Sequence, residues 1–264
     1  MINSLFEDYK NLKEVEAIAL GGSRAGAEYD EKSDYDVYLY ISESIDESER
    51  RGILKEYCDV IELGNHFWET EDNCVLKNGT DIDILYRNLD EFINDVADVA
   101  EKHNPRNAYT TCMWHNLKTC KIIFDRNGRL EKAKERFDIP YPPELKKNII
   151  ENNMRLLHNS LPAYDKQIIK AAQRGDLNSV NHRVTGFMEA YFDLIFALNE
   201  MTHPGEKRLV KICKAQCKIL PKDFEENINA VFSHMFINPE KTERGLQRII
   251  SELNKVLKQK GYRT

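Results

Sequence analysis

The chain has 264 residues, of which 41% are hydrophobic and 31% charged, and its formal net charge is −6. This composition is that of a soluble globular protein, and no apolar run approaches the roughly 18 residues of a membrane span, so we expect none. The N-terminal segment lacks the basic start and apolar stretch of a secretory signal, and the six cysteines form no CxxC pair, so we expect a reducing, cytoplasmic setting.

The charge is distributed unevenly along the chain. Residues 1–138 carry 18 Lys and Arg against 30 Asp and Glu, whereas residues 139–264 carry 20 against 14. An acidic half is expected around a divalent-metal site, and the basic half either grips an anionic partner or is solvated surface. Because no dense Lys/Arg run is interleaved with aromatic residues, the sequence predicts no nucleic-acid partner.

Apolar spacing in the first half alternates between helical and strand periods. The predicted elements are, in chain order, a helix over 4–14, a strand over 16–21, a short helix from Ser23 to Ala27, a strand over 35–41, a helix over 46–57 with Asp46 as N-cap, a strand over 59–63, a loop through 68–72, a turn at Asn78-Gly79, a strand over 80–86, a helix over 89–100 and an edge strand over 121–125.

Three prolines within residues 140–143 predict a linker or a sharp stop. The helices predicted beyond it are 143–159, 163–174, 177–200, 205–219, 222–236 and 240–259. The richest apolar face, from Val184 to Phe196, is interpreted as bundle core. The expected fold is therefore an α/β domain with a mixed sheet, residues 1–138, followed by an all-α helical bundle, residues 139–264.

The most informative motif is Gly21-Gly22-Ser23-Arg24, followed ten residues later by Asp34-Tyr35-Asp36. A small-residue turn after a strand lets backbone N–H groups and a hydroxyl approach phosphate oxygens closely. Two carboxylates at i and i+2 on a strand point to the same face. Like charges this close are costly unless a cation lies between them, and oxygen-only ligands of this kind suit Mg²⁺.

This pattern resembles the nucleotidyltransferase superfamily, whose members include DNA polymerase beta and the antibiotic nucleotidyltransferases. The matching residues are Gly22-Ser23, Asp34-x-Asp36 and a third acidic strand with Asp81 and Asp83. The resemblance is specific over the first 90 residues. Beyond them it is one of architecture, to bacterial antibiotic nucleotidyltransferases and their uncharacterised relatives with a helical second domain. The segment 203–208, His-Pro-Gly-Glu-Lys-Arg, looks like a short signature of that uncharacterised branch.

The resemblance implies Mg²⁺-dependent transfer of a nucleoside monophosphate from an NTP to a hydroxyl, with release of pyrophosphate. It implies two Mg²⁺ ions bridged by Asp34 and Asp36, and β- and γ-phosphates held by Ser23 and the backbone around Gly22. Arg24 could add contacts to the triphosphate, or it could serve equally well in a surface salt bridge. Residues 1–138 are then the catalytic domain, and residues 139–264 are expected to bind the acceptor.

The third carboxylate is left open between two positions of one strand. Asp81 and Asp83 alternate in phase, so both could face the Asp34–Asp36 pair. We favour Asp83 as the metal ligand because it sits centrally between Ile82 and Ile84. Asp81 then becomes a supporting group or the base that deprotonates the acceptor hydroxyl.

Weaker candidates lie outside these motifs. Lys207 could reach the triphosphate from the helical domain, or it could be an ordinary lysine near a helix start. Glu62 and the acidic residues Glu69, Glu71 and Asp72 could face a cationic acceptor or solvent. His66 and Trp68 could stack on a base or belong to an aromatic cluster.

Three functions compete on this evidence. The first is transfer to a small-molecule hydroxyl, with an aminoglycoside-like antibiotic as the family expectation for the acceptor. The second is transfer of AMP to a protein side chain, as in toxin–antitoxin members of the superfamily, although those units are typically shorter. The third is a non-catalytic nucleotide-binding module, which would predict loss of the carboxylates that this chain retains. The preferred NTP and the oligomeric state are not determined by the sequence.

Overall fold

The structure is a computed structural model that describes residues 1–25, 34–67 and 69–262, apart from the side chains of Ser23 and Ala25. The chain forms two compact units. The first contains Met1–Ala97 and Met113–Ile139, and the second contains Asp98–Cys112 and Pro140–Thr264. No helix in the described part of the chain combines the length and apolarity needed to cross a bilayer.

The first unit is built on a mixed six-stranded sheet. Its strands are β1 (Val15–Leu20), β2 (Tyr35–Ile41), β3 (Cys58–Asn65), β4 (Thr70–Leu76), β5 (Asp81–Asn88) and β6 (Lys121–Asp125). The spatial order is β3-β4-β5-β2-β1-β6. Strands β2 and β5 pair in parallel, and the other neighbours are antiparallel. The central position of β2 and β5 places their side chains in the middle of the sheet.

Six helices are interspersed with these strands along the described chain. Those of the first 139 residues are α1 (Ile2–Asn11), α2 (Gly22–Ala25), α3 (Glu47–Leu54), α4 (Leu89–Ala100), α5 (Cys112–Thr119) and α6 (Arg129–Arg136). Helix α3 begins where the Asp46 carboxylate accepts a hydrogen bond from the Ser48 N–H, as an N-cap residue should. Because side chains alternate along β5, Ile82, Ile84 and Tyr86 point into the apolar core. Helix α1 packs in the same core.

The second unit is helical. Its helices are α7 (Pro143–Leu157), α8 (Tyr164–Gln173), α9 (Leu177–Leu198), α10 (Leu209–Gln216), α11 (Phe224–His234) and α12 (Pro239–Gln259). Prolines begin α7 and α12, because the first helical position needs no N–H donor. Helix α9 is buried along most of its length, which confirms the apolar stripe of residues 184–196 as bundle core.

A polar cluster fastens residues 98–112 into this helical unit. The buried Asp193 carboxylate of α9 accepts hydrogen bonds from the Thr110 N–H at 3.0 Å, the Thr110 hydroxyl at 2.8 Å and the Asn153 amide at 2.9 Å. Burial raises the pKa of Asp193, while these hydrogen bonds oppose the rise. The Thr111 hydroxyl similarly accepts a hydrogen bond from the His203 N–H at 2.8 Å.

The fold class expected from the sequence is confirmed: a mixed-sheet α/β unit and a helical unit. Strand β6 lies at the sheet edge, as predicted. Residues 70–72 are an error of prediction, because they begin strand β4 rather than continue a loop. The predicted helix over 205–219 is also too long at both ends, since α10 spans Leu209–Gln216 and Gly205 has a φ of +103° that no helix accepts.

Candidate metal and nucleotide site

The glycine turn after β1 lies directly against β2. The Gly21 N–H donates a hydrogen bond to the Asp36 carbonyl at 2.8 Å. A Cβ atom on Gly21 would lie 2.4 Å from the Tyr38 ring, and one on Gly22 would lie 1.8 Å from the Asp36 carboxylate. Gly22 also has a φ of +55°, a conformation that L side chains rarely adopt. Glycine is therefore required at both positions, and the turn is held in contact with the Asp36 side chain.

Three carboxylates converge at this point of the sheet. Each of Asp34, Asp36 and Asp83 offers a ligand oxygen, and these atoms all lie within 4.8 Å of one another. The contact between Asp36 and Asp83 follows from the parallel register of β2 and β5, in which the two residues are direct partners. Three carboxylates so close repel one another unless a cation or a proton is shared between them.

A residue that the sequence analysis missed supports Asp83. Asn73 of β4 is the antiparallel partner of Asp83, and its amide donates a hydrogen bond to the Asp83 carboxylate at 2.7 Å. Asn65 in turn donates to the Asn73 side-chain oxygen at 2.6 Å. A loop over 70–72 gives no strand alternation, so the sequence does not predict that Asn73 faces Asp83. The signal that could have found it is the apolar segment Cys74-Val75-Leu76 before the Asn78-Gly79 turn, which extends a strand back through the polar residues 70–73.

Arg24, for which the sequence left open a triphosphate contact or a surface salt bridge, contacts the residues around Asp34. Its Nε donates to the Asp34 carbonyl at 3.1 Å, and its guanidinium lies 3.8 Å from the centroid of the Tyr35 ring. These contacts stabilise the start of β2, where Asp34 directly precedes the strand and Asp36 lies within it. Ser23 belongs to α2, but its side chain lies outside the described residues, as do residues 26–33.

Two other predicted residues are not members of the three-carboxylate group. Asp81, at the start of β5, is exposed and is not part of the group formed by Asp34, Asp36 and Asp83. Lys207 belongs to the second unit, where it is exposed in the turn before α10. The assignment of Lys207 to a triphosphate stays a prediction.

Most of the acidic segment after β3 is engaged in ion pairs within the first unit. Glu69 makes a bidentate pair with Arg87, at 2.6 and 2.7 Å, and Asp72 is wholly buried beside Arg50. Burial is the largest single influence and lowers the pKa of Arg87, but the pair with Glu69 and the nearby Tyr40 and Tyr38 together hold the pKa above its ordinary value. His66 contacts the Thr70 hydroxyl through Nδ1 at 3.2 Å, and Trp68 lies outside the described residues.

The arrangement as a whole combines an oxygen-only ligand set with a tight glycine turn. Carboxylate oxygens are the donors that Mg²⁺ prefers, and a turn stripped of side chains allows a ligand to approach its backbone N–H groups. This geometry suits the binding of a metal-complexed polyphosphate beside the first residues of β2 and β5.

Comparison with known proteins gives a match to a family model described as a domain of unknown function (DUF4037), over residues 109–209. The matched segment lies largely in the helical unit and misses the three carboxylates. No curated protein matches the chain.

The chain is also similar to solved structures of two bacterial proteins. A nucleotidyltransferase-like protein from Exiguobacterium sibiricum has 10% sequence identity and a TM-score of 0.42, with 98% of this chain and 73% of that chain covered. An aminoglycoside 6-adenyltransferase from Bacillus subtilis has 11% identity and a TM-score of 0.35, with 99% and 91% covered. At such identities and TM-scores, the functional assignment rests on the side chains of this chain alone.

Proposed function

We propose that this protein transfers a nucleoside monophosphate from an NTP to a hydroxyl group of a small molecule and releases pyrophosphate. The observation that carries the proposal is the convergence of Asp34, Asp36 and Asp83 within 4.8 Å beside the Gly21-Gly22 turn. A ligand set for a divalent cation next to a backbone suited to phosphate is what this reaction requires.

The donor set fits Mg²⁺, because all three side chains present carboxylate oxygens and no softer ligand. Asp34, Asp36 and Asp83 would hold the metal, with two ions as the family resemblance implies. When bound, Mg²⁺ would neutralise charge on the phosphate oxygens during an in-line displacement.

The chain's own residues supply the remaining parts of the reaction. Backbone N–H groups from Gly22 to Arg24 would donate hydrogen bonds to phosphate oxygens, helped by the Ser23 hydroxyl, while the Gly21 N–H is already bonded to the Asp36 carbonyl. Asn73 fixes the orientation of the Asp83 carboxylate. An exposed carboxylate such as Asp81 would accept the proton from the acceptor hydroxyl, whose oxygen bonds to the α-phosphorus as the bond to pyrophosphate breaks.

The charges of the first unit bear on the choice of acceptor. A polycationic acceptor of the aminoglycoside type needs acidic side chains available to meet its amines. Glu69 and Asp72 are already paired with Arg87 and Arg50, so Glu62 and Glu71 remain of the acidic residues considered for this role. We therefore propose a hydroxyl-bearing small molecule as the acceptor class and include aminoglycosides as one group to be screened.

The first experiment is calorimetric titration of each of the four NTPs with and without Mg²⁺, followed by an assay of pyrophosphate release with a panel of acceptors. Asp36→Asn should abolish Mg²⁺-dependent binding and transfer while the fold stays intact, because it removes a ligand charge at nearly constant volume. The matched control is Asp59→Asn, which neutralises an exposed carboxylate at the start of β3 and should leave both activities unchanged.

The outcomes separate the competing functions. Transfer that persists in Asp36→Asn would refute the metal assignment. Mg²⁺-dependent NTP binding with label incorporated into protein, but into no small acceptor, would favour protein AMP transfer. Binding without pyrophosphate release under any condition would favour a nucleotide-binding module.

A further inference from the structure

A cavity of about 510 Å³ lies within the helical unit, formed by the end of α7, by α8 and by α12. It falls within the size range of small-molecule sites. Its apolar floor is made by Ile169, Leu246 and Ile250. The proposed nucleotidyl transfer uses none of its residues, and all of them belong to the second unit.

A histidine–carboxylate pair lies on one wall of this cavity. The His158 Nδ1 lies 2.6 Å from an Asp165 oxygen, and the other Asp165 oxygen accepts the Lys166 N–H at 2.7 Å. Because a carboxylate only accepts hydrogen bonds, Nδ1 carries the proton and Nε2 is the remaining polar atom of the ring. Asp165 is only 6% exposed whereas the His158 side chain is 44% exposed, so the carboxylate orients the imidazole while the ring stays accessible.

The opposite wall is a polar stripe of α12. Its residues recur at three- and four-residue spacing on one face of the helix, while the other face packs in the core. The stripe consists of Gln247, Ser251, Asn254, Lys255 and Lys258.

Two members of the stripe lack protein partners among the described residues. The Asn254 side-chain oxygen is buried with no hydrogen-bond partner there, which costs free energy unless a ligand or water satisfies it. Lys258 forms no ion pair within the same described ranges, whereas Lys255 is paired with Glu252 at 2.6 Å. Of the two ammonium groups in the cavity lining, that of Lys258 is the one without an ion pair among the described residues, and Asp165 is the one carboxylate of the lining.

We propose that this cavity binds a phosphate group, either free or as the monoester of a small polyol. Lys258 and Lys255 would meet the charged oxygens, and His158 would contact the same group through Nε2. Asn254, Ser251 and Gln247 would serve the hydroxyls of an ester, over the apolar floor. The charge balance and the mixture of donors and acceptors favour this class over an apolar or cationic ligand.

The test uses the full-length protein without NTP or Mg²⁺ and measures calorimetric binding of inorganic phosphate, glucose 6-phosphate and glucose. We expect saturable binding of one or both phosphate compounds and none of glucose. Tighter binding of glucose 6-phosphate than of phosphate would identify an ester as the ligand, and equal or tighter binding of phosphate would identify the free ion.

Variants then locate the site. Lys258→Gln should weaken binding about tenfold, the usual scale for loss of one charge-assisted contact. The control Lys241→Gln changes an exposed lysine near the start of the same helix and should have no effect. His158→Gln should also weaken binding, and its thermal melting curve shows whether the helical unit stays folded. If the helical unit unfolds in His158→Gln, the Lys258→Gln variant still tests the site.

Three results would overturn the proposal. They are the absence of saturable binding to the folded wild type, equal weakening by the Lys258→Gln and Lys241→Gln variants, and loss of phosphate binding in Asp36→Asn. The last would place the anion in the first unit. Failure here leaves the proposed transfer reaction untouched, because the two sites share no residue.

Discussion

Two adjacent residues of strand β4, Asp72 and Asn73, belong to two polar groups on opposite faces of the sheet. The two groups differ in how the charge of their carboxylates is compensated. On one face, the fully buried Asp72 carboxylate is paired with Arg50 and accepts the Gly64 N–H at 2.9 Å and the Tyr86 hydroxyl at 2.8 Å. On the other face, the next residue, Asn73, supports Asp83 with a neutral amide. A structural carboxylate is fully compensated by the protein, whereas Asp83 is oriented without being neutralised by this contact.

The physical reason lies in desolvation. A carboxylate removed from water is stable only if a positive charge and several donors replace the water, and Asp72 has both. The Tyr9 hydroxyl joins the same network, 3.2 Å from the Tyr86 hydroxyl. Burial is the largest of the causes that raise the pKa of Tyr86. Asp83 is only partly buried, so it remains able to bind a cation.

The largest expected effect is on stability and comes from changing the structural carboxylate, Asp72. Asp72→Asn removes the nearer counter-charge of the buried Arg50 and leaves only the longer pair with Glu47 at 3.9 Å, so it should lower the free energy of unfolding by about 3 kcal/mol. Urea denaturation followed by tryptophan fluorescence measures it, because Trp114 is buried in the same unit.

The matched variant on the other face is Asp83→Asn. It should change the free energy of unfolding by less than about 1 kcal/mol, or raise it, because it relieves repulsion with Asp36. Equal destabilisation by the two variants would show that both carboxylates are structural, and the comparison would fail.

An intermediate effect is expected at the glycine turn. Gly22→Ala would place a methyl group against the Asp36 carboxylate, so the turn or the carboxylate must move. A displacement of about 1 Å at a reacting centre costs on the order of 100-fold in rate. Transfer rate and Mg²⁺-dependent NTP binding should both fall.

Gly79→Ala is the control for backbone conformation. Gly79 also has a positive φ, +80°, but a Cβ there would meet nothing within 4 Å. Both variants should lose about 1 kcal/mol of stability from the unfavourable φ, and activity should fall only in Gly22→Ala. If Gly79→Ala impairs transfer as much as Gly22→Ala does, the close approach to Asp36 is not the cause.

The smallest effect concerns the positioning residue. Asn73→Ala removes the hydrogen bond that orients Asp83, and loss of such outer contacts typically costs about 10- to 100-fold in metal affinity. Titration of Mg²⁺ into the NTP-bound protein measures this affinity, with the fold checked by circular dichroism. Asn65→Ala should have a weaker effect, since Asn65 reaches Asp83 only through Asn73. The reverse order of effects would contradict a role for Asn73 in positioning.

The sequence by itself determined the local features of this protein. Local features depend on neighbours along the chain, so the sequence predicts them directly. They include the Gly21-Gly22 turn, the i, i+2 spacing of Asp34 and Asp36, and the helical periodicity after the prolines. Helix caps such as Asp46 belong to the same class, because the cap and its N–H donor are two residues apart.

Only the tertiary structure decided which distant residues meet. The grouping of Asp83 rather than Asp81 with Asp36 depends on the register of β2 against β5, and the role of Asn73 depends on a strand whose polar sequence resembles a loop. The attachment of residues 98–112 to the helical unit likewise depends on Thr110 meeting Asp193, 83 positions away. Strand pairing and buried hydrogen bonds of this kind are stabilised by contacts remote in sequence, which a local pattern does not encode.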